Sequence, residues 1–310
     1  MGIFNHRKDK GKQKQSGSNQ FQAPSGPPPG WVPAPERSHT LGLYNEASDI
    51  DFAWAKDYCD RWPVDPPRLL PSDIVERINA EGCGAWSLWT NSDRFRGRID
   101  IGGEKGGASV VKVTTDAPCK ESYLESNLPI LAGLYDVQGK SGVYFEVMIH
   151  RMDGIIALGT ACRPYPNWRY PGWHRLSAGL HLDDMCKFFE DSDGGRDYDP
   201  LLKHISVQSG DTFGCGYDFA RNAVFFTYNG RRLLDAFTGV YVPRAKHDVY
   251  AAIGVEGQCE FDVNFGGSLF KWKEGNDWAW RVEGHVGRLN GGWGGDDAEL
   301  PSYDQARSSR

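Results

Sequence analysis

The chain has 310 residues, 39% of them hydrophobic and 13% aromatic, and a formal net charge of -6 at pH 7. Such a chain can bury a sizeable core, and its charge argues against general nucleic-acid binding. The 38 glycines, 18 prolines and 11 tryptophans suit an all-β domain with many tight turns better than a helical bundle.

The first residues, Met1-Gly2, raise N-myristoylation, although His6 stands where Ser or Thr is expected. Arg7, Lys8, Lys10, Lys12 and Lys14 then oppose the single acid Asp9, forming a short basic arm that could support a membrane contact if Gly2 is acylated. Residues 1–43 are rich in Lys, Gln, Ser, Gly and Pro, ending in Pro24-Ser25-Gly26-Pro27-Pro28-Pro29-Gly30-Trp31-Val32-Pro33. They read as a disordered basic, Pro-rich tail. A helical lead-in over 44–84 follows. Ser48 is a candidate N-cap, and Ile50, Ala53, Trp54 and Tyr58 recur at helical spacing up to Trp62-Pro63. A second helix is predicted from Ser72, with Ile74, Val75 and Ile78 as its apolar stripe and Gly82 beyond its end.

From about Trp86 the period becomes two, and strands are predicted over 110–113, 143–149, 154–160, 177–182, 212–217, 223–228, 249–255 and 260–264. Residues 218–222 turn a hairpin, with Phe213, Cys215 and Tyr217 alternating before it and Val224 and Phe226 after it. Many short antiparallel strands without interleaved helices mean a sandwich or barrel rather than a Rossmann-type fold. Residues 273–310 read as a flexible tail.

Five segments carry a resemblance: Val143-Tyr144-Phe145-Glu146-Val147; the run from Tyr170-Pro171-Gly172-Trp173 to Leu180-His181-Leu182-Asp183-Asp184; Gly210-Asp211-Thr212-Phe213-Gly214-Cys215-Gly216-Tyr217-Asp218; Val224-Phe225-Phe226-Thr227-Tyr228-Asn229-Gly230; and Ala252-Ile253-Gly254 with Val263-Asn264-Phe265-Gly266. In this order they resemble the SPRY domain, which implies an all-β, curved antiparallel two-sheet sandwich of the concanavalin-like jelly-roll type over about 85–272. Gly214, Gly216 and Gly254 are then expected where the sheets are crowded. Arg163-Pro164-Tyr165-Pro166-Asn167-Trp168-Arg169-Tyr170-Pro171-Gly172 resembles a loop of fungal Ran-binding-protein-like SPRY adaptors of HECT ubiquitin ligases. That resemblance implies partner binding at the sandwich rim, by Arg163, Tyr165, Trp168, Arg169 and Tyr170, residue types that dominate binding hot spots. The bland alternative is that this loop caps the core.

Leu300-Pro301-Ser302-Tyr303 fits the L/P-P-x-Y form read by WW domains, where proline presets an extended geometry and the tyrosine ring fills a pocket. Leu300, Pro301 and Tyr303 are therefore candidate ligands for a WW-domain ubiquitin ligase. Catalytic readings fail on their geometry. Arg175 stands where a nucleophile elbow around Ser177 needs glycine, and the run 102–109 lacks the Gly-Lys-Ser/Thr of a phosphate loop. Arg196 occupies the turn-glycine position of a calcium loop from Asp191, and for His181, Asp183, Asp184 and Cys186, which cluster in sequence, strand alternation sends His181 away from Leu182 and structural hydrogen bonding is the expected role over metal binding. No cofactor or metal is expected. The seven cysteines include no C-x-x-C pair, no Asn-x-Ser/Thr acceptor or signal-peptide pattern occurs, and the longest apolar stretch, 155–162, is too short to cross a bilayer. These features suit a cytoplasmic protein, with a peripheral-membrane or nuclear place as variants. The expected function is a non-enzymatic adaptor joining a protein cargo to a WW-domain ligase. A SPRY scaffold subunit without the ligase link is the alternative, and a carbohydrate-active sandwich the more distant one.

Overall fold

The computed structural model describes residues 49–102, 110–240 and 247–286. Gly2, the basic arm, the Pro-rich run, most of the glycine-rich 102–109 segment, and Leu300, Pro301 and Tyr303 lie outside the described residues.

Two long strands organise the domain. β5 (Gly142–Ala161) has 20 residues and β12 (Tyr250–Asn264) has 15. They pair antiparallel along nearly their whole length, from Tyr250 opposite Ala161 to Asn264 opposite Glu146. The sequence pattern suggested two strands in each of these stretches. Backbone pairing instead continues through the intervening polar residues, because Gly154 and Gly257 face each other where side chains would collide with the opposing backbone. A register shift between Glu260 and Phe261 adds a local bend.

Each half of this pair gathers its own neighbours. The first leaf runs through β2 (Gly97–Gly102), β3 (Val110–Thr115), the second part of β12, the first part of β5, β9 (Thr212–Asp218), β10 (Ala223–Tyr228) and β11 (Arg231–Thr238). In the second leaf the order is β1 (Leu88–Trp89), β4 (Ser122–Ser126), the first part of β12, the second part of β5, β6 (Ala178–His181), β7 (Cys186–Phe189) and β8 (Arg196–Asp197). The sandwich is thus one continuous 12-stranded antiparallel sheet folded over itself, instead of two separate sheets. Period-two alternation sends Phe145, Val147, Leu158, Leu180, Phe213, Phe226, Ile253 and Phe261 into a single core between the leaves. The hairpin predicted around 218–222 is present, with Asp218 paired to Ala223. Asn229 and Gly230, at φ 48° and 81°, turn the chain from β10 into β11.

The outer face of the first leaf is also covered. Tyr144 and Phe225 sit opposite Gly216 on its two neighbouring strands and stack across it, 6.2 Å between ring centroids. Phe270, Trp272 and Trp280 close over them. Buried Glu146 holds this cover: it accepts the Trp272 and Lys271 amides, each at 2.9 Å, and the Tyr144 hydroxyl at 2.7 Å. Residues 273–286, read from the sequence as the start of a flexible tail, accordingly form three short turns against the sandwich, and Val282 and His285 are fully buried.

Two helices precede the sheet, α1 (Asp49–Arg61) and α2 (Ser72–Glu81). In α2 the expected Ile78 is buried, and Gly82 ends the helix with a positive φ. α1 differs from expectation. Ile50 and Trp54 are 61% and 59% exposed, and the residues turned to the domain are Asp51, Ala55, Tyr58 and Cys59.

A Cβ at Gly216 would overlap the Phe225 ring. Gly216→Ala is expected to destabilise the protein by about 3 kcal/mol through overpacking. In urea unfolding the midpoint should fall at unchanged slope; an unaltered midpoint would show that the aromatic layer is not tightly seated.

Candidate functional site

The loop between β5 and β6 carries the residues expected at the rim, and it folds inward over the second leaf. Tyr165, Arg169 and Tyr170 are 5%, 0% and 1% exposed. Tyr165 packs on Tyr123 at 4.7 Å, donates to the Tyr170 carbonyl at 2.6 Å, and accepts from the His174 amide at 3.2 Å. Tyr170 lies over Gly254, where an added Cβ would come within 2.6 Å of the ring, and donates to Glu256 at 2.9 Å. With Trp173, Phe188, Ile155 and Ala157 it forms a small second core. These three residues therefore secure the loop and cannot present their side chains to a partner; Trp173 likewise packs inside.

Arg163 is also engaged. Its Nε donates to Glu125 at 2.6 Å and its Nη2 to the Ser126 carbonyl at 2.8 Å, while the guanidinium lies 3.8 Å from the Tyr250 ring centroid and 5.5 Å from that of Trp89. The stack and ion pair tie the loop to β4 and β12. Arg169 sits over Trp173 at 4.3 Å and donates to His174 Nε2 at 3.0 Å, but its Nη1 and Nη2 have no hydrogen-bond partner. Burial lowers its pKa, opposed by the nearby Glu121. His174 is held neutral, its pKa lowered to about 4 by burial and then by Arg169 and Arg175. Its unprotonated nitrogen is what accepts from Arg169.

Of the five expected residues Arg163 and Trp168 keep part of their surface exposed, and Trp168 is the one that lines a groove. Its ring meets Tyr58 of α1 edge-on at 5.7 Å. α1 is fastened beside it by Arg94 to Asp51 at 2.7 Å, by Arg175 to the Cys59 carbonyl at 2.7 Å, and by Phe52 against His174 at 5.8 Å. Between α1 and the loops at 91–94 and 167–168 runs a groove of about 500 Å³ lined by Trp54, Asp57, Tyr58, Arg61, Trp62, Asn91, Asp93, Arg94, Asn167 and Trp168. Asn167 bridges its floor, donating to Asn91 at 3.1 Å. Trp54 and Trp62 are 59% and 54% exposed. The sequence reading placed no function on Trp54, Trp62, Asn91 or Asp93. The available signal was the helical stripe of Ile50, Ala53, Trp54 and Tyr58, and periodicity alone does not say whether such a stripe meets the domain or a partner.

Among the described residues no group of three or more His, Cys, Asp or Glu could hold a metal, and no helix is long and apolar enough to cross a membrane. A folded antiparallel sheet with exposed aromatics at an open groove has the form of a binding module. The chain contains a SPRY domain, matched by that family's model over residues 142–268. A protein ssh4 of Sclerotinia sclerotiorum is 26% identical over 262 residues, covering 83% of this chain and 45% of the relative. A SPRY domain-containing protein of Schizosaccharomyces pombe is 31% identical over 190 residues, covering 61% of this chain and 43% of its own. The chain thus spans less than half the length of these curated relatives. A crystal structure of a human SPRY domain aligns with a TM-score of 0.39 at 22% identity, covering 54% of this chain and 94% of its own.

Glu121 lies beneath α1, 3.8 Å from Arg94, and burial raises its pKa from 4.5 to about 7 against the opposing pull of Arg169. The folded protein therefore holds this proton more tightly than the unfolded chain does. The stability linked to the neutral carboxyl is complete below about pH 4.5 and is lost as pH rises through 7. Glu121→Gln should raise the thermal unfolding midpoint at pH 8, by the equivalent of up to about 3 kcal/mol, and leave it nearly unchanged at pH 4. Equal effects at both pH values would contradict the burial of this charge.

Proposed function

We propose that the protein is an adaptor: its SPRY unit takes a protein partner on the face bounded by α1 and Trp168, and Leu300, Pro301 and Tyr303 offer a WW-domain ligand to a ubiquitin ligase. The observation that carries the first part is the groove itself, because its exposed Trp54, Trp62 and half-buried Trp168 leave apolar area uncovered next to a rigid sheet. Isolated exposed apolar residues are ordinary on a protein surface, whereas a cluster of tryptophans around one groove is what an interface presents. Arg163, Tyr165, Arg169 and Tyr170 contribute by holding Trp168 in place.

The second part is supported by the sequence motif and by the resemblance of the 163–172 loop to that of SPRY adaptors of HECT ligases. Joining cargo and ligase on one chain would raise the effective concentration of one beside the other. The SPRY scaffold without a ligase link keeps the same docking face and differs only in the role of the C-terminal motif.

A peptide spanning 299–305 is expected to bind members of a WW-domain panel with micromolar affinity by fluorescence anisotropy, and Tyr303→Ala to abolish that binding. Absence of binding across the panel would leave the scaffold reading in place of the adaptor.

A further inference from the structure

The charges around the groove show what kind of partner it suits. Arg61 is paired with Asp57 at 2.6 Å, and Arg94 is paired with Asp51 at 2.7 Å and faces Glu121 at 3.8 Å. Both arginines are thus already answered by carboxylates. Asp93 is exposed and makes no ion pair among the described residues, so it is the lining charge left unanswered; the neighbouring Arg96 donates to the Asp93 carbonyl at 2.7 Å and is not part of the lining. Trp54, Tyr58, Trp62 and Trp168 line this site, and an aromatic face attracts a cation through its quadrupole. No hydrogen bond occupies the Trp54 or Trp62 indole N–H or the Tyr58 hydroxyl among the described residues, which leaves donors for the carbonyls of an incoming backbone.

The shape favours a peptide over a second copy of the chain. The side of α1 turned farthest from the domain carries Asp49, Ala53, Lys56 and Asp60, all exposed. That polar ridge has no apolar seam to pack against its own copy. The aromatic residues sit on the flank of the helix, as one wall of a groove whose opposite wall is loop.

We propose that the groove between α1 and the 91–94 and 167–168 loops binds an extended peptide through an arginine or lysine side chain laid against Trp54, Tyr58, Trp62 and Trp168 and paired with Asp93. The proposal rests on the reading of this face as a docking site and names the chemistry of what docks there.

The test uses the full chain, immobilised, and four soluble undecapeptide pools, random among uncharged residues at every other position, whose central residue is fixed as Arg, Lys, Gln or Glu. The Arg and Lys pools should be retained about ten-fold more than the Gln and Glu pools, with retention weakened by salt. Trp54→Ala should abolish retention, and Asp93→Lys should shift preference to the Glu pool. Both positions are exposed, so unfolding midpoints should stay at the wild-type value; Trp62→Ala replaces Trp54→Ala if the latter fails this control. Equal retention of all pools, lost in Trp54→Ala, would overturn cation recognition and keep the docking face. No retention of any pool would overturn both. Concentration-dependent dimerisation lost in Trp54→Ala would show that a second copy is the occupant and would overturn the peptide.

Discussion

The described sheet is organised by the antiparallel pairing of β5 with β12. Because the two strands run unbroken from one leaf to the other, the hydrogen bonds that build one layer also set the register of the second. A slip of one residue would turn every core side chain outward in both layers at once. The glycines near the bend let the pair change direction without breaking its ladder. The outward faces thereby become fixed platforms: one receives the Trp272 and Trp280 cover, the other the loop from Arg163 to Trp173.

Polar groups inside these covers are retained where they fix geometry. Glu146 takes up two backbone amides and a hydroxyl. Arg163 is both ion-paired and stacked, and so uses the planar guanidinium in a way lysine could not reproduce. Arg169 has no exposed surface, and two of its nitrogens lack partners. A buried guanidinium with unmet donors is costly, and its stacking on Trp173 and bond to neutral His174 offset only part of that cost. The side chains of the loop are consequently mostly engaged within the domain, and Trp168 is the one that lines the groove beside α1.

α1 is held to the domain by a few directed contacts and little apolar burial, with Ala55 its one fully buried residue. Its tryptophans remain at the surface, beside a groove whose two arginines are already neutralised. Such a face has large, stiff contact area and low net charge apart from Asp93, features that favour binding another chain over packing within its own.

Much of the sheet was legible in the residues. Alternation marked the core strands, Asn229-Gly230 marked a hairpin, and the ordered glycine and aromatic motifs marked the SPRY domain. Six strands were not: β1, β7 and β8 have two to four residues, too few for alternation to stand out, β4 and β11 mix polar and apolar residues without a clear period of two, and β2 offers only Ile99 and Ile101. The packing of 273–286 was hidden for another reason: Trp272 and Trp280 find their partners on strands far away in sequence. The rim residues were picked by type, since arginines and aromatics serve interfaces, but the same types also build satisfied cores. By itself the sequence determined the long central strands, several of the turns, and which residues can supply a core or a hot spot. Tertiary structure alone decided that Tyr165, Arg169 and Tyr170 face inward while Trp54 and Trp62 face outward, because exposure depends on what other segments lie against each face, and periodicity carries no information about that.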